Sequence, residues 1–230
     1  MATERDIMVE AIDVNKEYRR AGAIIRALAD VNLKIKSGEF IIIKGPTGCG
    51  KSTLLNVLSG LDLPDSGRII FDGENIARAT EDRLSKLRRQ KIGFVFQDFN
   101  LINSLTAIEN IEAVLWPTVL RQKEIENRAI VALREVDLLD RKDHYPVQLS
   151  GGEKQRCGIA RAIVHRPRVI LADEPTGNLD PDSEKAVMDL LEKINEDMET
   201  TVIVVTHRGS LASYANRVIS MDNGKIVSIK

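Results

Sequence analysis

The 230-residue chain has two cysteines, Cys49 and Cys157, far apart and without a CxxC pair or a histidine at ligand spacing. Neither a disulfide framework nor a zinc site is expected, and a reducing compartment suits such a chain. Long hydrophobic runs are also missing: Phe40-Ile41-Ile42-Ile43 and Val202-Ile203-Val204-Val205 fall far short of the roughly 20 residues of a membrane-spanning helix. The start, Met1 to Asp6, carries both signs of charge and lacks the apolar stretch of a secretory signal. Nor is there charge of one sign, because 33 Lys+Arg face 34 Asp+Glu, a net charge of −1. That balance gives no general electrostatic hold on nucleic acid, so no nucleic-acid partner is expected. What is present, 43% hydrophobic and 29% charged residues, is the balance of a soluble globular domain with room for a sizeable core.

Strand-like alternation opens the chain, with Ile7, Val9, Ala11 and Val14 in one segment and Val31, Leu33 and Ile35 in the next. This predicts a half-exposed antiparallel sheet. After the turn Ser37-Gly38-Glu39, the run from Phe40 to Lys44 reads as a strand buried on both faces. The turn cluster Pro64 to Gly67 precedes short strands at Ile69–Phe71 and Gly93–Phe96. From Leu101 to Leu139 the apolar residues Ile108, Ile111, Leu115, Ile125, Ala129, Ala132, Leu133 and Val136 recur at three- and four-residue spacing, predicting an inserted helical lobe. Buried strands then alternate with helices: Val169–Ala172, a helix over 183–195, and Val202–Val205. Arg217–Ser220 and Lys225–Ile229, joined through Asp222-Asn223-Gly224, read as a hairpin. Lys86 to Lys91 reads as a solvated helix end.

Gly45-Pro46-Thr47-Gly48-Cys49-Gly50-Lys51-Ser52 satisfies G-x-x-x-x-G-K-[ST] between a buried strand and a helix. Glycines there let successive backbone N–H groups converge on phosphate oxygens in front of a helix N-terminus. Lys51 can reach the β- and γ-phosphates and the Ser52 hydroxyl can take a Mg²⁺ position, with Thr53 next on the helix. The strand Val169–Ala172 ends in Asp173-Glu174. Asp173 is expected to hold the metal through water, and Glu174 to polarise an attacking water as general base. His207, just past the run Val202–Val205, is a candidate for sensing the γ-phosphate. A further segment, Leu149-Ser150-Gly151-Gly152-Glu153, opens a helix with Ser150 as N-cap and two glycines that allow an anion close approach.

With that segment the chain resembles the nucleotide-binding subunit of an ABC transporter, whose signature sequence Leu149 to Glu153 matches and whose other motifs follow in order over essentially the whole chain. The resemblance implies an α/β fold: a P-loop NTPase core with an antiparallel β subdomain (1–97 and 166–230) and an inserted α-helical subdomain (98–165). It implies that Tyr18 stacks on adenine, that Gln97 contacts the metal and the attacking water, and that His207 is the switch histidine. It also implies that Asn178-Leu179-Asp180 crosses between subunits, and that Ser150, Gly151, Gly152 and Glu153 meet the nucleotide of a second subunit. Ala172 to Asp180, Gly93 to Gln97 and Leu105 to Asn110 resemble the macrolide-exporter and lipoprotein-releasing branch, taken as subunits without fused membrane segments. Arg208 departs from that branch, which usually has Asp after the histidine, and Cys49 stands where Ser or Ala is usual.

The implied activity is hydrolysis of ATP with Mg²⁺, in a head-to-tail homodimer or with a paired ATPase subunit. A separate transmembrane permease would be driven to export or extract a hydrophobic or amphiphilic substrate, with the chain itself cytoplasmic and held at the inner face of the cytoplasmic membrane through that partner. Asp98-Phe99-Asn100-Leu101 is expected to line the groove that receives a permease helix. A regulatory ATPase controlling a membrane-anchored cell-division or wall-remodelling partner uses the same motifs and stays open.

Overall fold

Alternating and continuous hydrophobic patterns sort the chain into two sheets of different character. The structure, a computed structural model, describes residues 7–20 and 22–230; the charged start, residues 1–6, lies outside them. The chain runs through strands β1 (Ile7–Arg20), β2 (Ala23–Lys36) and β3 (Phe40–Lys44), helix α1 (Lys51–Leu58), strands β4 (Ser66–Phe71) and β5 (Glu74–Asn75), helix α2 (Glu81–Lys91) and strand β6 (Ile92–Phe96). Three helices follow, α3 (Ala107–Glu112), α4 (Gln122–Glu135) and α5 (Gly151–Ile163). Then come β7 (Val169–Asp173), α6 (Pro181–Met198), β8 (Thr201–Thr206), β9 (Arg217–Asp222) and β10 (Lys225–Ile229).

One sheet is antiparallel, in the order β2-β1-β4-β5. Burial alternates along β2, where Val31, Leu33 and Ile35 face inward between exposed neighbours. The other sheet has the order β10-β9-β3-β8-β7-β6, and all its pairs are parallel except β9 with β10. Its central strands β3, β7 and β8 are buried on both faces, so their side chains divide between two cores. Ile41, Ile43, Leu171, Ile203 and Val205 face the antiparallel sheet and α1. Ile42, Ile170, Ala172, Val202 and Val204 face the helical side, where Leu115, Ile125, Ala129 and Leu133 join Cys157 of α5 in one cluster.

The structure departs from the sequence reading at three places. α6 begins two residues before the expected Ser183 because Asp180 caps it, accepting from Asp182 N and Ser183 N, and Pro181 suits a first helical position. The final hairpin turns at Asn223-Gly224, both with positive φ (46° and 76°), as a two-residue turn of this type requires. Yet β9 also pairs in parallel with β3, an alignment that no local pattern announces. Arg88 on α2, read as solvated, folds back to donate to Gly60 O and to Glu81.

Gly93 sets how closely β6 meets α5: a Cβ there would lie 2.3 Å from the Ala162 carbonyl oxygen. Gly93→Ala is therefore expected to lower stability by about 1–3 kcal/mol, the range for overpacking, seen as an earlier urea midpoint. A wild-type midpoint would mean that α5 can give way without cost.

Candidate active site

The phosphate loop leaves β3 at its C-terminal end and is pressed between two other strands. At Gly45 a Cβ would lie 2.2 Å from the Met221 carbonyl oxygen of β9; at Gly50, with φ 105°, it would lie 2.3 Å from the Ala27 carbonyl oxygen of β2. Only glycine tolerates both approaches. Gly224 N donates to Cys49 O at 2.9 Å, so the hairpin turn also braces the loop. The Cys49 side chain is buried in the core beneath the loop, while Pro46, Thr47 and Gly48 are exposed. No side chain caps α1, whose N-cap is Gly50, so the N–H groups of its first turn stay available to an anion. Lys51 is buried, and its ammonium donates to Gly45 O at 2.9 Å and Pro46 O at 3.0 Å. With three donors on an ammonium, one remains for a phosphate oxygen.

The carboxylates lie beside this loop. Ser52 Oγ donates to Asp173 Oδ1 at 3.0 Å. Burial, and secondarily the neighbouring Glu174, push the Asp173 carboxyl above its ordinary value. Glu174 takes a left-handed backbone, φ 46°, held by Glu174 N donating to Val205 O at 2.9 Å and Gly177 N to Glu174 O at 3.0 Å. This turn takes it off the strand direction, and His207 Nδ1 donates to its Oε2 at 2.9 Å. A carboxylate only accepts, so the imidazole carries its proton on Nδ1.

Gln97 closes one side. Its Nε2 donates to Asn178 Oδ1 at 3.2 Å, and Asn178 Nδ2 donates back to Gln97 O at 3.3 Å and to Asp98 Oδ1 at 2.9 Å. A Cβ at Gly177 would lie 2.8 Å from Gln97 Nε2 and oblige that side chain to shift. Ser52, Gln97, Asp173 and Glu174 line a cavity of about 240 Å³ at the C-terminal ends of the parallel strands. A larger cavity, about 630 Å³, lies at the strands' N-terminal ends among Ser37, Arg168 and Glu199. Chemistry favours the smaller one, because open α/β sheets bind ligands beyond the carboxyl ends of their strands.

The other expected residues fall into two groups. Tyr18 lies near the loop, with its hydroxyl donating to Asp62 Oδ2 at 2.7 Å and Thr53 alongside. Burial and Asp62 push its hydroxyl up to about 12. The signature segment is not in the cavity with the phosphate loop. Ser150 Oγ accepts from Glu153 N at 3.2 Å and Glu153 Oε2 accepts from Ser150 N at 2.8 Å, a reciprocal cap on α5. Glu153 also pairs with Arg141, so its carboxylate is engaged in holding the helix start. Gly151 and Gly152 lie against Leu179 and Ser183, next to Asp180, whose carboxylate caps α6.

Sequence reading missed the supports. Gln155 is fully buried on α5, and its Nε2 donates to Pro175 O at 2.6 Å and Phe96 O at 3.3 Å. It thus ties the signature helix to the segments that carry Glu174 and Gln97. A buried glutamine amid Ile159, Ala160 and Ala162 was the one available signal. Lys16 Nζ, 2.7 Å from Asp62 Oδ1, steadies the acceptor of Tyr18 and lies 5.3 Å from its ring centroid. Arg161 donates to Phe99 O at 2.8 Å and to Asn100 O, bracing the left-handed residues of the segment expected to line the permease groove.

Comparison with known proteins accords with this geometry. The family model described as ABC transporter matches residues 28–177. The uncharacterized ABC transporter ATP-binding protein MJ1508 of Methanocaldococcus jannaschii is 46% identical over 222 residues, 96% of this chain and 99% of that protein. A dimeric structure of the ATP-binding cassette MJ0796 in a post-hydrolysis state, bound to ADP and Pi, matches with a TM-score of 0.89 at 43% identity, covering 97% of this chain and 98% of that one. The macrolide export ATP-binding/permease protein MacB of Brucella abortus is 42% identical over 221 residues, 96% of this chain but 34% of that protein. Its name and its length correct the expectation that relatives in this branch lack fused membrane segments. On the family match over residues 28–177 and on relatives matched over nearly the whole of both chains, the chain belongs to the ABC transporter family, as an ATPase cassette.

Proposed function

We propose that the chain binds ATP with Mg²⁺, pairs with a second copy or a similar ATPase subunit, and uses hydrolysis to drive a separate membrane permease. The work done is export or extraction of a hydrophobic or amphiphilic substrate. One arrangement supports this most directly. Ser52, Gln97, Asp173 and Glu174 share a cavity, His207 bonds Glu174, and the second anion-accepting helix start, at Ser150, lies elsewhere in the same chain. Two such half-sites are completed by a head-to-tail partner, which fits the dimers described for MJ0796. Residues 98–165 serve as the helical subdomain, with Asp98 to Leu101 facing the permease. No described helix is long and apolar enough to cross a membrane. In this reading the chain works in the cytoplasm, held at the inner face of the membrane by its permease.

The donor set suits magnesium. The Ser52 hydroxyl and Asp173 carboxylate are hard oxygens 3.0 Å apart, Gln97 lies on the same cavity, and no group of three or more His, Cys, Asp or Glu side chains forms a metal cage among the described residues. Mg²⁺ favours such sparse sites, completed by water and phosphate. When bound it would withdraw charge from the β- and γ-phosphate oxygens. Tyr18 offers its ring to adenine, and the loop's N–H groups and Lys51 hold the phosphates. Glu174 accepts a proton from the attacking water as its oxygen bonds the γ-phosphorus and the bridging oxygen leaves with ADP. His207 holds that carboxylate in place and faces the transferring group.

Glu174→Gln is expected to bind ATP and form a stable dimer by size-exclusion chromatography while turnover falls by roughly 10²–10⁴-fold, the worth of a general base. Turnover near wild type would remove the base assignment. Lys51→Ala should weaken nucleotide binding or turnover, and unchanged kinetics would contradict the loop reading.

Asp173 gives a stability test. Because its carboxyl is raised on folding, the native state holds the proton more tightly than the unfolded chain, so stability falls as pH rises through the carboxylate range. Asp173→Asn should therefore melt higher than wild type at neutral pH without nucleotide, with the gap closing in acid, while losing Mg²⁺-dependent ATP turnover. A lower melting temperature at neutral pH would show that the carboxylate stabilises the fold.

A further inference from the structure

His207 owes its place to surprisingly little. Its side chain is 49% exposed and its one hydrogen bond among the described residues is to Glu174. Past β8, the loop that carries it must be anchored elsewhere. Arg208 is extended, φ −85° and ψ 116°, with its N–H donating to Thr206 Oγ1 at 3.0 Å. In extended chain, successive side chains point to opposite sides. Here His207 reaches Glu174 while Arg208 Nη1 donates to Glu184 Oε2 on α6. The pair is substantially shielded, with Glu184 15% and Arg208 32% exposed.

The surroundings of this pair make it specific. Glu184 sits in the first turn of α6, where its N–H donates to the carbonyl of the capping Asp180 at 2.8 Å. A helix N-terminus favours the carboxylate and disfavours a guanidinium, so Arg208 is kept there by Glu184. Farther along the loop, Tyr214 donates to Asp189 Oδ1 at 2.7 Å, a second tie to the same helix. Turning the Thr206–Arg208 backbone to withdraw His207 from Glu174 would disturb the Arg208–Glu184 pair, because the two side chains leave adjacent residues.

We propose that Arg208 is a positioning residue: paired with Glu184, it fixes the His207 loop to the helix capped by Asp180 and so holds His207 against the general base. This rests on the roles given above to Glu174 and His207. Arg208 and Glu184 thus cross-link the His207 loop to α6.

A double-mutant cycle on ATP hydrolysis tests it. Arg208→Ala and Glu184→Ala should each lower kcat about tenfold, within the cost of a small misplacement of a catalytic group, with KM for ATP within about twofold of wild type. The double variant should be no slower than either single one, since both remove the same tie. Arg208→Lys, which keeps a charge for Glu184, should recover part of the loss. Melting temperatures accompany each variant, and a kcat loss that tracks destabilisation overturns the proposal, as do additive losses or wild-type kcat in Arg208→Ala. His207→Ala run in parallel separates the two levels. If it is slow and Arg208→Ala is not, only the anchor fails; if it turns over like wild type, the role of His207 fails and the anchor with it.

Discussion

The close approach of backbone to backbone around the phosphate loop is the constraint on which the rest of this structure depends. A loop that keeps N–H groups free for phosphate has few internal backbone bonds to hold its shape, here among the described residues only Cys49 N donating to Pro46 O at 3.3 Å, so it must be held from behind. Here the carbonyls of Met221 and Ala27 hold it, coming from two different sheets against Gly45 and Gly50. β3, buried on both faces, fixes where the loop begins, and the Gly224 bond to Cys49 O closes the remaining side. A side chain at either glycine would push a sheet away from the loop it supports.

The acid pair shows how one strand end can supply two different carboxylates. Asp173 continues β7 into a partly buried place beside Ser52, and that burial raises its carboxyl. Glu174, one residue on, escapes the strand through a left-handed backbone of a kind that costs on the order of 1–3 kcal/mol and persists only when neighbours hold it. Those neighbours are the Val205 carbonyl and the Gly177 N–H. Gln155 then carries the signature helix to the same spot through Pro175 O and Phe96 O. The segments that carry Glu174 and Gln97 are thus tied to the signature helix by a buried amide, and Arg208 ties the His207 loop to α6 through Glu184.

Several elements could be read directly because their cause is local. The runs at Phe40, Val169 and Val202 are buried strands because nothing polar interrupts them, and Asn223-Gly224 makes a turn because both residues accept positive φ. Ser150 and Glu153 form a cap because they stand three positions apart. α6 starts two residues before its apolar periodicity indicates, because Pro181 looks like a turn residue yet suits a first helical position. The parallel pairing of β9 with β3, the Asp62 and Lys16 that steady Tyr18, and the buried role of Gln155 join residues tens to well over a hundred positions apart. No short-range periodicity encodes such meetings.

By itself, then, the sequence determined the chemistry on offer: glycines and a lysine for phosphate, a hydroxyl and two carboxylates for a metal and a water, and a capped glycine-led helix for a second anion contact. Motif spacing suffices for that because each motif is built within one turn or one strand end. Only the tertiary structure decided which groups work together. It brings Ser52, Gln97, Asp173 and Glu174 to one cavity and His207 to Glu174, and leaves Ser150 and the glycines of the signature outside it. The physical reason is that parallel strands gather their carboxyl ends at one edge whatever their order along the chain. The signature helix instead packs its side against β6 and turns its N-terminus elsewhere.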